Sequence, residues 1–176
     1  MAEGSWQVRQ NSDSNCEDAV NNYVQLQLHA SYVYLSMALF FDRDDVALGN
    51  LKRFFLSKSH SRKASVQMFM FLQNKRCGLV FFPSISTPER GSWQGGLQAM
   101  EFAFHMEMTI NQSLLNLHKL AKEKRVADLC YFLEHHCLDE QARVLHKMSG
   151  YLANLRQMGT PENGFTDYPF DELSLS

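Results

Sequence analysis

What this sequence does without narrows its reading first. No run of like charge occurs in its 176 residues, where 17 lysines and arginines stand against 19 aspartates and glutamates for a formal net charge of −2. That balance asks for neither a nucleic-acid nor an anionic-membrane partner. No stretch approaches the roughly 18 apolar residues that span a bilayer, and the opening Met1–Gln10 is polar, with no apolar h-region. The expectation is a soluble intracellular chain, cytoplasmic, with the nucleus as the alternative compartment. Cysteine is sparse as well. Cys16, Cys77, Cys130 and Cys137 show no Cys-x-x-Cys or Cys/His finger spacing. Cys130 and Cys137 stand two helical turns apart, about 10 Å, beyond the roughly 7 Å between Cα atoms that a disulfide tolerates. Reduced thiols in a reducing compartment are expected.

What is present reads as helix. The length suits one domain with a substantial core. Ser14-Asn-Cys-Glu17 has the form of a capping box, so a first helix is expected near Asn15, with Tyr23, Gln27, Ala30, Tyr34, Met37 and Phe41 on its inner face. Asp42-Arg-Asp-Asp45 should stop it and supply the acidic cap of a second, antiparallel helix over about Val46 to Arg76. Leu51, Phe55, Val66, Phe69 and Leu72 form that helix's apolar stripe, with Arg62 in its middle. Cys77 to Gly96, with two prolines and four internal or flanking glycines, is an extended connection. At about 3.3 Å per residue it can traverse a helix some 40 Å long, so a third helix can run parallel to the second. Its apolar run Leu79–Phe82 is either a strap over its own bundle or an edge that pairs with a second subunit.

A third stripe follows in Leu97, Met100, Phe104, Glu107, Ile110, Leu114, Leu117 and Ala121, and a fourth in Cys130, Leu133, Cys137, Gln141, Val144, Met148, Tyr151 and Leu155. The turn between them, Ala121 to Asp128, contains no glycine or proline to mark it. Gly159-Thr-Pro161 ends the fourth helix, and Pro169 is expected to interrupt any helix in the terminal segment Phe165–Leu173. The division is a flexible segment over 1–13, a bundle over 14–158 and a C-terminal piece over 159–176. Four long helices joined short, long, short make an all-α four-helix bundle with one crossover connection.

Gln27, Arg62, Glu107 and Gln141 each fall near the middle of a helix and on its inner stripe, so they should share one layer. In bundles of this kind, carboxylates and a Glu-x-x-His pair at such a layer hold two iron ions. Here no glutamate is followed three residues later by histidine; the corresponding place reads Arg62-Lys-Ala-Ser65. A guanidinium has five donors and no acceptor, so it cannot ligate Fe²⁺ and its charge repels the ion. It can instead fork onto Glu107, and that buried pair is the expected occupant of the metal's position. The alternative is residual iron binding in the same layer.

Gln7-Val-Arg-Gln10, Ala30–Met37, Phe41–Leu48, Leu72-Gln-Asn74, Asn111–Leu115, Glu140-Gln141 and Asn154-Leu-Arg156 resemble the heavy chains of the ferritin family, over essentially the whole sequence. The resemblance implies the ferritin fold with a short fifth helix and assembly of 24 subunits, alone or with other ferritin chains, into a hollow shell that stores ferric mineral. It also implies a ferroxidase centre of which Tyr34, Glu107 and Gln141 match, while Gln27, Arg62 and Ser65 replace two glutamates and a histidine. Ser61, Ala64 and Gln67 stand where acidic residues nucleate mineral, Tyr131 and Glu134 where an aspartate and a glutamate line the three-fold pore, and Pro169 and Leu173 where leucine and histidine meet at the four-fold axis.

Isolated histidines are ordinary on solvated helix faces, and His136 with Glu140 is the best candidate among them for a surface ion. Glu101 and His105 read as a plain helix-face pair, and the nine methionines and thirteen phenylalanines as core packing. No haem or flavin is indicated, and no tightly bound cofactor is expected beyond iron mineral in a cavity. The expectation is an iron-storage shell subunit without ferroxidase activity. Its rivals are a residual ferroxidase using Tyr34, Glu107 and Gln141, and a non-storage interaction protein, with the nucleus as its alternative compartment.

Overall fold

The computed structural model describes residues 14–76, 78, 84–85, 92–158 and 167–175, and its regular elements there are all helices. They are α1 (Ser14–Asp42), α2 (Gly49–Lys75), α3 (Gly96–Glu123), α4 (Ala127–His136), α5 (Leu138–Met158) and α6 (Asp167–Ser174). The N-terminal segment 1–13 and the apolar run Leu79–Phe82 lie outside the described residues. α1 packs most extensively on α2, α3 on α5, and α1 on α3. The fold is an all-α bundle of four long helices, the fourth built from α4 and α5, with α6 closing one end.

The fourth helix is broken at Cys137, whose φ of −123° leaves the helical region. The break is local, because the Cys137 N–H still donates to the Leu133 carbonyl at 3.1 Å and its own carbonyl accepts from Gln141 N at 3.0 Å.

The second helix begins at Gly49, three residues later than its sequence suggests. Val46 N and Ala47 N both donate back to the Arg43 carbonyl, at 3.0 and 2.8 Å, and Ala47 takes a left-handed φ of 51°. The acids of this turn do not cap α2. Asp45 is forked by Arg43 at 2.9 and 2.6 Å, and Asp42 pairs with Lys52 at 2.6 Å. The cap comes instead from the far end of the chain: buried Asp171 accepts the Leu51 N–H at 2.7 Å, and its carbonyl accepts from Asn50 Nδ2 at 2.9 Å.

One turn earlier on α6, Asp167 accepts the Gly96 N–H at 2.8 Å. Two acids four residues apart on one short helix thus serve the first turns of α2 and α3, where orphan amides and the positive dipole end favour a carboxylate. Side chains at that spacing stand about 6 Å apart, so the two N-termini lie at the same end and α2 and α3 run parallel. Gly96 suits this approach, since a Cβ there would lie 2.8 Å from Asp167 Oδ1 and the carboxylate would have to shift. Phe170, fully buried between the two acids, packs edge-on against Tyr151 at 5.8 Å. Pro169 does not interrupt α6. It occupies the first turn, where no intrahelical partner for its missing N–H exists, and its side chain is exposed.

The unmarked turn between α3 and α4 closes by a Schellman pattern. Val126 N donates to Ala121 O at 2.9 Å and Arg125 N to Lys122 O at 3.1 Å, with Arg125 at φ 57° where glycine is usual. The accompanying apolar contact is supplied by Val126 and Ala121, both buried.

The expected inner stripes are largely buried, with shifts of one residue where Gln73, Ala103, Leu129 and Leu152 are buried in place of Leu72, Phe104, Cys130 and Tyr151, which are half-buried. Packing does not absorb every large apolar residue either, for Phe71, Leu39, Met108 and Phe102 are exposed. The core divides in two. One apolar cluster, including Phe41, Phe55, Met100, Met148 and Phe170, fills the α6 end. The other, including Val20, Phe69, Leu114 and Leu133, fills the opposite end. Between them lies a slab of buried polar side chains.

Candidate metal centre at the polar layer

Gln27, Arg62, Glu107 and Gln141 come from α1, α2, α3 and α5 respectively, and all four side chains meet. Gln27 and Glu107 are fully buried, Gln141 is 3% exposed and Arg62 8%. Each stands at a stripe position that an apolar residue would otherwise fill, so the register that buries the core also buries the charges.

The Glu107 carboxylate is the hub. Its Oε1 accepts from the Tyr34 hydroxyl at 2.5 Å and from Arg62 Nε at 3.3 Å; its Oε2 accepts from Arg62 Nη2 and from Gln141 Nε2 at 2.8 Å. An ionised carboxylate offers about four lone-pair sites. All are taken. Arg62 also donates from Nη1 to Gln27 Oε1 at 3.3 Å and from Nη2 to Gln141 Oε1 at 3.0 Å. Only one of its five N–H groups is left without a side-chain acceptor. Gln141 is further held by a bond from Nε2 to the Glu107 carbonyl at 3.2 Å. Gln27 Nε2 is buried without a partner among the described residues.

The electrostatics follow from this geometry. Burial, and then the adjacent Glu107 charge, hold the Tyr34 phenol well above its ordinary range, so it donates as a neutral hydroxyl. Burial likewise raises Tyr23, against the pull of Arg62. The Cys137 thiol is pushed up to about 12 by burial, with Arg62 opposing. That shift favours the neutral thiol over the nucleophilic thiolate.

The Ferritin family model, which describes a ferritin-like domain, matches residues 17–158, from the first turn of α1 to the end of α5. The chain belongs to the ferritin family. Ferritin-type bundles gather iron ligands from facing helices in one such layer. The donors present do not suit a di-iron centre, because the layer's lone carboxylate is saturated and a cation fills the space beside it. Ser65, three residues beyond Arg62, is half-buried at the rim of a cleft and outside the hydrogen-bond network of Glu107.

Of the other positions of interest in this ferritin chain, Ser61, Ala64, His136 and Glu140 line that cleft, and none joins the hydrogen-bond network of Glu107. Ser61, Ala64 and Gln67 are exposed along α2. Tyr131 is 61% exposed and its ring stacks on His135 at 3.9 Å. Glu134 is engaged by His118 at 2.8 Å, which holds its carboxyl below the usual range, with Lys122 3.9 Å away. Glu140 pairs with Arg143 at 3.3 Å and shares the cleft with His136. Glu101 pairs with Arg156 of α5 at 3.3 Å, not with His105, because the bundle brings a full charge closer than its own helix does. Among the described residues no three histidine, cysteine or acidic side chains converge as a metal site. None of their helices is long and apolar enough to cross a membrane.

Two members of the layer escape a search for apolar periodicity. Ser31, four residues beyond Gln27, donates to Leu28 O at 2.7 Å, and Ser59, three before Arg62, donates to the Ser31 carbonyl at 2.8 Å. Both are fully buried. Their signal was the presence of small hydroxyl residues on inner-stripe positions flanking the charged ones.

Proposed function

We propose that this chain is a catalytically silent, heavy-chain-like ferritin subunit, one that contributes structure to an iron-storing shell without oxidising Fe²⁺. The observation that carries the reading is the Arg62 guanidinium closed on Glu107 at the centre of the bundle. Ferroxidase chemistry needs electron pairs free to bind two ferrous ions, and Glu107 has none to spare. Tyr34 and Gln141, the other two groups that match the heavy-chain pattern, both donate to the same carboxylate. A residual ferroxidase built on these three residues would have to break that network first.

The surface supports a scaffolding role. Exposed Ser61, Ala64 and Gln67 offer no carboxylate to nucleate mineral, and at the pore position Glu134 is already paired with His118. The shell, in this reading, is the family's 24-subunit assembly, formed with itself or with active ferritin chains in the cytoplasm, and any mineral in it depends on partner subunits. Docking of α6 through Asp167, Phe170 and Asp171 keeps the C-terminal helix ordered despite Pro169.

Two measurements test the proposal. Under air, Fe²⁺ should oxidise no faster with the purified protein than in buffer; oxidation abolished by Glu107→Ala would refute silence. Size-exclusion mass should report a large shell. A monomer or dimer would instead favour the non-storage interaction role.

A further inference from the structure

A cleft of ≈ 280 Å³ opens beside the polar layer, between α2 and the α4–α5 junction, lined among others by Tyr23, Lys58, Arg62, Ser65, His136 and Glu140. Against the roughly 30 Å³ that a water molecule takes in the liquid, this is room for a small ion with part of its hydration. Its polar groups are unbalanced toward donors. Lys58 is half-buried and makes no ion pair with a described residue; its Nζ lies over the Phe54 ring, 5.8 Å from the centroid. The Tyr23 and Ser65 hydroxyls make no hydrogen bond to a described residue, and Arg62 keeps one N–H unspent.

Acceptors are few and occupied. Glu107, beneath the floor, is saturated, Gln141 has its Oε1 on Arg62 and its Nε2 on Glu107, and Glu140 is paired with Arg143. Unspent donors lining a cleft whose acceptors are engaged suit an anion. The half-buried lysine is consistent with this, since burial draws its ammonium below the ordinary lysine range, with Glu107 and Glu140 opposing and the Arg62 and Lys147 charges adding to the effect. A bound anion would offset all three.

We propose that this cleft binds a small tetrahedral oxyanion of the phosphate class, with Lys58 as its charge partner and Tyr23, Arg62 and Ser65 as further donors. The inference is independent of whether the chain oxidises iron. It concerns the rim of the layer, whereas the silent reading concerns its centre.

Titration calorimetry of the iron-free assembled protein with inorganic phosphate, at constant ionic strength in chloride, is the test. One saturable site per subunit is expected. Lys58→Gln should weaken it at least about tenfold, the loss of one charge-assisted partner, while Lys63→Gln on the same helix leaves it unchanged. Tyr23→Phe, which keeps the ring packing, should weaken it severalfold and serves if the lysine variant fails to assemble. A second titration with glycerol phosphate separates the sources: tighter binding than phosphate assigns the site to a phosphorylated small molecule, weaker binding to the free ion. No saturable binding by the wild type, or equal affinity in Lys58→Gln, overturns the site.

Discussion

The Arg62 guanidinium and the Glu107 carboxylate close on each other from α2 and α3 through both Nε and Nη2, with the carboxylate fully buried. Neither could be there alone. An isolated ion in this interior costs several kcal/mol in lost hydration, and only a counter-charge together with hydrogen bonds offsets it. The pair therefore behaves as one unit that separates two apolar cores.

Removing one member of the unit should be more expensive than removing both charges. Glu107→Ala is expected to lose about 3–5 kcal/mol of stability in denaturant unfolding, by leaving the guanidinium unpartnered. Adding Arg62→Met to Glu107→Ala should recover part of that loss by removing the unpartnered charge, the remainder coming from the buried Tyr34, Gln27 and Gln141 groups that lose their partners. A loss below about 1 kcal/mol in Glu107→Ala would show that the pair is not a structural necessity.

Tyr34 gives the layer a pH signature. Its folded pKa is raised above the unfolded value, so the stability it contributes is fully present below about pH 10 and declines as pH rises toward the folded pKa, because only the unfolded chain can release the proton. Tyr34→Phe should be less stable at pH 7 by about 1.5–3 kcal/mol, the worth of a hydrogen bond to a charged group. Its further loss above pH 10 should be shallower than the wild type's. Parallel unfolding curves of the two proteins from pH 7 to 11 check this, and an identical alkaline slope would remove Tyr34 from the account.

The C-terminal helix should act as a clamp. Asp171→Ala removes the carboxylate that caps Leu51 N–H and should cost about 1–2 kcal/mol, or about 2–8 °C in melting temperature for a chain of this size. Gly96→Ala drives a Cβ against Asp167 and should cost a similar amount by expelling the second cap. Unchanged melting in both variants would mean that α6 contributes nothing to the bundle.

Arg125 offers a change in the other direction. A non-glycine residue in the left-handed region costs on the order of 1 kcal/mol, and its exposed side chain forms no part of either core. Arg125→Gly should raise the melting temperature by about 2–4 °C; a lowered one would show that the side chain matters more than the backbone.

The places where the sequence was readable, and where it was not, divide along physical lines. Gln27, Arg62, Glu107 and Gln141 were legible because each interrupts an apolar period at a matching depth, and periodicity reports which face is buried. The start of α2 was not, because Ala47 adopts a conformation its side chain does not advertise, and the α3–α4 turn was hidden likewise by Arg125 in a glycine's position. Asp167 and Asp171 cap residues 71 and 120 positions away, so nothing local distinguishes them from solvated acids. Pro169 looked disruptive only while the first turn of α6 was not located. The clefts and clamps of a bundle are tertiary facts, and a single helix's stripe does not contain them.

The account rests most directly on what iron does at the layer. A crystal of the protein soaked aerobically in ferrous salt, with anomalous density collected at the iron edge, should show Arg62 still forked onto Glu107 and no iron among Gln27, Tyr34, Glu107 and Gln141. Iron bound to Glu107, with Arg62 turned out toward the cleft, would contradict it.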